Sequence, residues 1–408
     1  MPGPETTKPT MNDSHPRLPP ELTDIVIDHL ADNISALHNC SMTCKSWIPR
    51  TRTHIFKEIR LSARNAEGFR TLIMGNNAIG KYIQEIHVHH RHSVYQPGPL
   101  WLEQDLLPQL SVHLQHVRKV VLGGDGTYSP SSFLLLSSIE AFETKDCGVE
   151  SVDELLSLIA SLPRLRSVVS RGTDYGLSKR PPQRLDTHPP SLRTLDFVHS
   201  FLDADVLLDW LVTRSMGTLL ESVTAIPIGV QYIPHLGRMV RACAATLKHI
   251  RISVEDIGSH EADTWASRFT LEDCLELCVL EMDSATLSSV ELLPFELSYD
   301  WIGKLLGQVR SPRIREVILG ISQLDEMVLF DTVWDRVTNI LTSSRFLSLS
   351  RLIIHAVSLD SQTEWRRRLV NRVKTDLADL DRRGLLVFEY FASPGEYWRR
   401  RSTFSYVQ

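Results

Sequence analysis

The chain of 408 residues lacks most of the features that mark enzymes and membrane proteins. Cysteine is scarce, with six in all. Cys40 and Cys44, like Cys274 and Cys278, stand four apart, not at the C-x-x-C spacing of a zinc knuckle or redox pair. They read as small buried hydrophobes in a reducing compartment. No run approaches the roughly 20 apolar residues that span a bilayer, and Met1 to Pro16 has no apolar signal-peptide core. These absences predict a soluble protein of the cytoplasm, the nucleus or both, with no membrane partner. Neither sign of charge dominates, at 44 Lys and Arg against 49 Asp and Glu, which argues against a nucleic-acid partner. There is no G-x-S-x-G elbow, no Walker loop, no G-x-G-x-x-G after a strand and no H-E-x-x-H. The expectation is a non-enzymatic chain with no catalytic residue, no cofactor and no metal.

Positions 1–17, rich in Pro, Thr, Ser and Asn, have little to bury and read as a disordered tail. From Leu18 to Leu61 three short helices are predicted. Pro19-Pro20 suits a helix start, where a missing N–H is harmless, and Glu21 and Asp24 favour the positive end of the dipole. Leu22, Ile25, Val26 and Leu30 recur at helical spacing and predict one apolar face. Asn33 or Ser35 can cap the second helix, which carries Leu37, Cys40 and Cys44 along one side. Ser46 can cap the third, with Pro49 in its first turn. Some 40 residues bury too little apolar surface to fold alone. Yet Ile25, Ile27, Met42, Trp47 and Ile48 are too widely spread for one small core. Such a module completes its packing against the rest of the chain, a partner protein, or both.

Leu18-Pro19 before Glu21-Leu22, then Ile25, Leu30, Leu37 and Cys44-Lys45-Ser46-Trp47, resembles an F-box over about a tenth of the chain. One departure is Thr43, where the family usually has an apolar residue before the cysteine. The resemblance implies docking on a Skp-family adaptor and, through it, a cullin in a ubiquitin ligase. Leu18, Pro19, Leu22, Ile25, Leu30, Leu37, Cys44 and Trp47 would form the adaptor-binding set. The rest of the chain would capture a protein substrate. The alternative is a repeat scaffold whose helices only cap their own solenoid.

Over positions 62–395 a six-residue phrase recurs, with apolar residues first, fourth and, as a rule, sixth. Examples are Ile83 to Val88, Val117 to Leu122, Leu165 to Ser170, Leu192 to Phe197, Leu220 to Ala225 and Leu247 to Ile252. Looser copies start at Leu277, Ile314 and Leu349, and Leu385 to Tyr390 reads as a last strand. From Leu165 to Leu192, Leu220 and Leu247 the steps are 27, 28 and 27, within the period of roughly 20–29 of leucine-rich repeats. Helical segments lie between phrases. One follows Ser151, with Glu154 completing a capping box; another places Trp365, Leu369, Val373, Leu377 and Leu380 on one side, with Gly384 closing it. The predicted fold class is α/β: a three-helix module, then an irregular leucine-rich-repeat-like solenoid with parallel strands inside and helices outside. The consensus asparagine of such repeats is missing, and a general α/β domain with a mostly parallel sheet is the alternative. Positions 396–408 read as a C-terminal tail.

The third and fifth positions of each phrase should face out on the concave surface. They make His87, Lys119, Asp196, His249, Arg251, Glu316 and Arg351 candidate substrate contacts. The mixture has no basic stripe and no stacked aromatics, so it suits a protein ligand. His87, His89, His90 and His92 are the densest set of metal-ligand types. On a strand His87 and His89 would lie about 7 Å apart on one side, but no carboxylate stands at a recognised spacing, and a solvated strand end is the plainer reading. A metal-dependent enzyme at this cluster is the third alternative.

Overall fold

The computed structural model describes residues 19–90, 101–176, 192–198, 200, 204–213, 219–255, 267–283, 300–323, 333–358, 363–393, 396–397 and 400. Leu18, His92, the N-terminal tail and most of the Pro-rich run before Pro190 lie outside them.

The chain opens with α1 (Pro20–Asp28), α2 (Ile34–Thr43) and α3 (Ile48–Ile55). The strands are β1 (Glu58–Leu61), β2 (Glu85–His90), β3 (Lys119–Gly124), β4 (Thr127–Tyr128), β5 (Ala141–Lys145), β6 (Gly148–Val149), β7 (Ser167–Arg171) and β8 (Asp174–Tyr175). They continue as β9 (Thr194–Val198), β10 (Ser222–Gly229), β11 (His249–Glu255), β12 (Val279–Asp283), β13 (Glu316–Ser322), β14 (Arg351–Val357) and β15 (Leu386–Phe391). Twelve of them form one sheet in chain order, β1-β2-β3-β5-β7-β9-β10-β11-β12-β13-β14-β15, and every neighbouring pair is parallel. The small strands β4, β6 and β8 make a second parallel ribbon. The fold is thus α/β and solenoid-like, each strand pairing with those of the preceding and following units.

The phrase explains the burial. Its first, fourth and sixth positions point into the core, as with Leu247, Ile250 and Ile252, each 0% exposed. Helical residues such as Leu236, Leu305, Val337 and Leu369 belong to the same core, so the helices cover that face and leave the other open. Main-chain N–H groups at the second phrase position step from unit to unit: Arg193 donates to the Arg166 carbonyl, Glu221 to Arg193, Lys248 to Glu221. Two neighbouring units carry a hydroxyl at the sixth position: Thr144 in Ile139 to Thr144, where β5 forms, and Ser170 in Leu165 to Ser170, where β7 forms. Thr144 Oγ1 meets Ser170 Oγ at 3.1 Å, and Thr173 and Tyr175 add hydroxyls at 3.0 and 2.8 Å. These hydroxyls tie adjacent units inside the core, where an unpaired polar group would be expensive.

Local expectations fare unevenly. Asn33 caps α2 by accepting from the Ala36 N–H at 3.0 Å. Ser46 does not cap α3; its Oγ lies 2.9 Å from Cys44 Sγ. Ser151 accepts from the Glu154 N–H, but the Glu154 carboxylate accepts from Ser129 Oγ and so ties two units together. The helix Thr363–Asp376 and the short helix Ala378–Arg382 after it bury Trp365, Leu369, Val373 and Leu380, with Leu377 buried between them, and Gly384 follows at φ +70°. β1 pairs with β2, so the exit from the helical module is also the first rung of the sheet.

Candidate functional site

Two surfaces collect the predicted residues. The first is the helical module. Thr23 and Ile27 are the inward side of α1, Leu37 is sealed at 0% exposure, and Thr51 of α3 is equally buried. Asp28 clamps the module from below. It accepts from Arg50 Nε at 2.6 Å, lies 2.8 Å from His54 Nε2, and meets Arg50 Nη2 as well. Hydrogen bonds from Arg50 and then His54 hold the Asp28 carboxyl down to about 2. With the inside fixed, the remaining apolar residues point out: Leu22 is 49% exposed, Ile25 51%, Val26 53%, Ile34 61% and Met42 87%. Pro19 is exposed, and Leu30, Cys44 and Trp47 are half-buried.

The predicted adaptor set therefore divides. Leu22 and Ile25 lie on open surface; Leu37 is part of the module's own core and cannot touch a partner without unfolding. The periodicity behind Leu22, Ile25 and Val26 marks the outward face of α1, not the inward one, because Thr23 and Ile27 are its buried residues, and Leu30 lies beyond the end of the helix.

The second surface is the open face of the sheet. Across β3, β5, β7 and β9 charges alternate: Lys119 Nζ is 3.1 Å from Glu143, Arg171 is 3.4 Å from Glu143, and Arg171 Nη2 is 2.8 Å from Asp196. Glu316 accepts from Arg351 Nε at 3.0 Å on two neighbouring strands. Of the seven predicted contacts, His87, Lys119, Asp196 and Glu316 are half-buried and Arg351 is exposed. His249 and Arg251 are buried at 7% and 6%, contrary to the expected solvent-facing placement. Their part of the face is covered. Arg251 lies 2.9 Å from Glu281 and 2.8 Å from Asp283, both 0% exposed. Burial alone would draw the guanidinium down; Asp283 and Glu281 outweigh it and hold Arg251 above its ordinary value. The cover includes Tyr397, which follows β15 and is 0% exposed. Tyr397 was expected in the tail, and it is packed on the body instead.

Two sets of side chains bring three ligand atoms within 4.8 Å of one another, among the described residues: Glu58, Glu85 and His87, and Glu281, Asp283 and His355. The histidine expectation shifts accordingly. His90 is buried, and His87 faces Glu85, two residues back on the same strand, at 3.6 Å and Glu58, brought near by the pairing of β1 with β2, at 3.7 Å. The hydrogen bond with His87 holds the Glu85 carboxyl below its usual range. In the second set Arg251 already supplies the cation between the two carboxylates, which opposes a metal there.

No helix among the described residues is long and apolar enough to cross a membrane. No protein-family model and no curated protein sequence matches the chain. Among solved structures, the chain is similar to a Bacteroides fragilis protein at a TM-score of 0.31 and 13% identity, over 53% of this chain and 72% of that one.

Proposed function

We propose that the chain is the substrate-recognition subunit of a Skp–cullin–F-box ubiquitin ligase, with α1–α3 docking on a Skp-family adaptor and the open face of the leucine-rich-repeat-like sheet binding a protein substrate. The observation that carries the reading is the outward set Leu22, Ile25, Val26, Ile34 and Met42 on a module whose inside is already filled by Ile27 and Leu37. Large apolar side chains held exposed on so small a folded module suit a partner site. The role is non-enzymatic: holding a substrate lysine near a charged conjugating enzyme raises its effective concentration. The mixed charges of Lys119, Glu143, Arg171 and Asp196 suit a protein ligand better than a polyanion.

The competing reading, a scaffold whose helices only cap the solenoid, draws on the pairing of β1 with β2. A terminal cap, however, presents polar residues to water, and α1 presents Leu22, Ile25 and Val26. The test is pull-down of a recombinant Skp-family adaptor by the full chain and by Leu22→Asp/Ile25→Asp. The wild type should retain the adaptor and the folded double variant should not. Equal retention by both would reject the docking face.

A further inference from the structure

The first two strands of the sheet gather three metal-ligand side chains on the open face. Glu58 lies on β1; Glu85 and His87 lie on β2, where a spacing of two puts them on one side. The register sets Glu58 directly against Glu85. Like charges opposite one another on paired strands repel, so the arrangement calls for a cation between the carboxylates. Lys119, next in the same row, turns its ammonium to Glu143 on β5, 3.1 Å away. Arg60 Nε donates to Glu58 Oε1 at 2.8 Å, yet its side chain is 80% exposed, and a surface pair of this kind contributes little. It can turn away from Glu58, unlike the buried Arg251 of the second set.

The geometry at His87 points to a metal. Its Nε2 is shielded from water and faces both carboxylates, 3.7 Å from Glu58 Oε1 and 3.6 Å from Glu85 Oε2. Those separations exceed the roughly 2.7–3.2 Å of a well-formed N–H···O bond. They are close to the ligand–ligand edge of about 3.3–3.4 Å in a tetrahedron whose metal–ligand bonds are about 2.0–2.1 Å. All three ligand atoms lie within 4.8 Å of one another, so small rotations of the two carboxylates complete the fit. We propose that Glu58, Glu85 and His87 form a zinc site, with two carboxylate oxygens and His87 Nε2 as protein ligands and a water in the fourth position. The mixed nitrogen and oxygen donors favour zinc over magnesium or calcium, which prefer oxygen alone. His89 is not a ligand; Glu58 enters in its place, through strand pairing. Because α3 ends at Ile55 and β1 begins at Glu58, the metal ties the exit of the helical module to the first repeat strand. This role is independent of what the module docks on.

The experiment strips the full chain with a chelator and titrates it with Zn²⁺ in a calorimeter, with Mg²⁺ as the control and Co²⁺ as a spectroscopic probe. Zinc should bind at a single site, magnesium should not compete, and cobalt should give the visible absorption of a tetrahedral centre. Glu58→Gln and His87→Ala should each weaken zinc at least about tenfold, since even outer partners of a metal site are worth roughly 10–100-fold. His89→Ala should bind as the wild type does. At free zinc a hundred times Kd, hydrogen exchange over Glu58–Leu61 should slow by up to about 100-fold in the wild type and not in Glu58→Gln. Glu58→Gln keeps the shape of the side chain and removes the repulsion with Glu85, so without metal it should melt no lower than the wild type. Absence of zinc binding, equal affinity in Glu58→Gln, loss of binding in His89→Ala, or a metal-free Glu58→Gln that melts below the wild type would each overturn the proposal.

Discussion

Truncating three residues of the helical module separates docking from folding. Leu37 is 0% exposed, so Leu37→Ala removes a fully packed side chain and should destabilise the module by about 2–5 kcal/mol. Leu22 and Ile25 are 49% and 51% exposed, so about half of each side chain already contacts water. Full burial of such a side chain stabilises by about 1.5–3 kcal/mol, so each truncation should cost the free chain about 1 kcal/mol or less. The other half is what docking would bury, again about 1 kcal/mol per residue. Leu22→Ala/Ile25→Ala should therefore weaken adaptor binding by about 2 kcal/mol, roughly 30-fold in Kd. Calorimetric titration with purified adaptor reads the affinity, and circular dichroism melting reads the stability. The reasoning is refuted if the double variant binds with unchanged Kd, or if it melts as early as Leu37→Ala.

Acid should loosen the module through Asp28. Its folded-state carboxyl titrates at about 2, below its ordinary 3.8, so the stabilisation is full above pH 3.8 and is lost as pH falls toward 2. Asp28→Asn should abolish that acid-sensitive step in hydrogen exchange of Pro20–Ile55; a wild-type acid profile in the variant would contradict it. The opposite sign applies to Glu150, whose carboxyl is pushed up by burial and by Glu154, and to Glu103, pushed up by burial with Glu154 adding to it. The folded state holds those protons more tightly, so stability from this cluster rises as pH falls through the raised values. Glu150→Gln should raise the melting temperature slightly at pH 7 and not below pH 4; a lowered melting temperature at pH 7 would count against it. Burial pushes the Cys243 and Cys274 thiols up to about 12 and Cys147 to about 11. From ionisation alone Cys243 should alkylate about 10³-fold more slowly at pH 8 than an ordinary thiol, while half-buried Cys40, Cys44 and Cys278 label first. Timed alkylation with mass spectrometry checks the order.

The twelve-stranded sheet was largely legible because most units bury three apolar positions in six, and that demand is written locally. β5 was not among the phrases read, although its Thr144 matches the Ser170 of the phrase that gave β7; the two hydroxyls, 26 residues apart, satisfy each other. The orientation of α1 was not legible either. Leu22, Ile25 and Val26 have helical spacing whichever way they point, and only packing assigns the inside to Thr23 and Ile27. The cluster of Arg251, Asp283, His355 and Tyr397 lay furthest from sequence reasoning. Arg251 and Tyr397 are 146 residues apart, and no spacing rule spans that distance. Parallel register and the return of the chain after β15 bring them together, and they take Arg251 and His249 out of the exposed contact set.

The most direct measurement of the central claim is co-expression of the full chain with a Skp-family adaptor, followed by size-exclusion chromatography with light scattering. The account predicts a one-to-one complex in which α1 gains hydrogen-exchange protection at Leu22, Ile25 and Val26. Separate elution of the two proteins, with no change in exchange across α1, would contradict it.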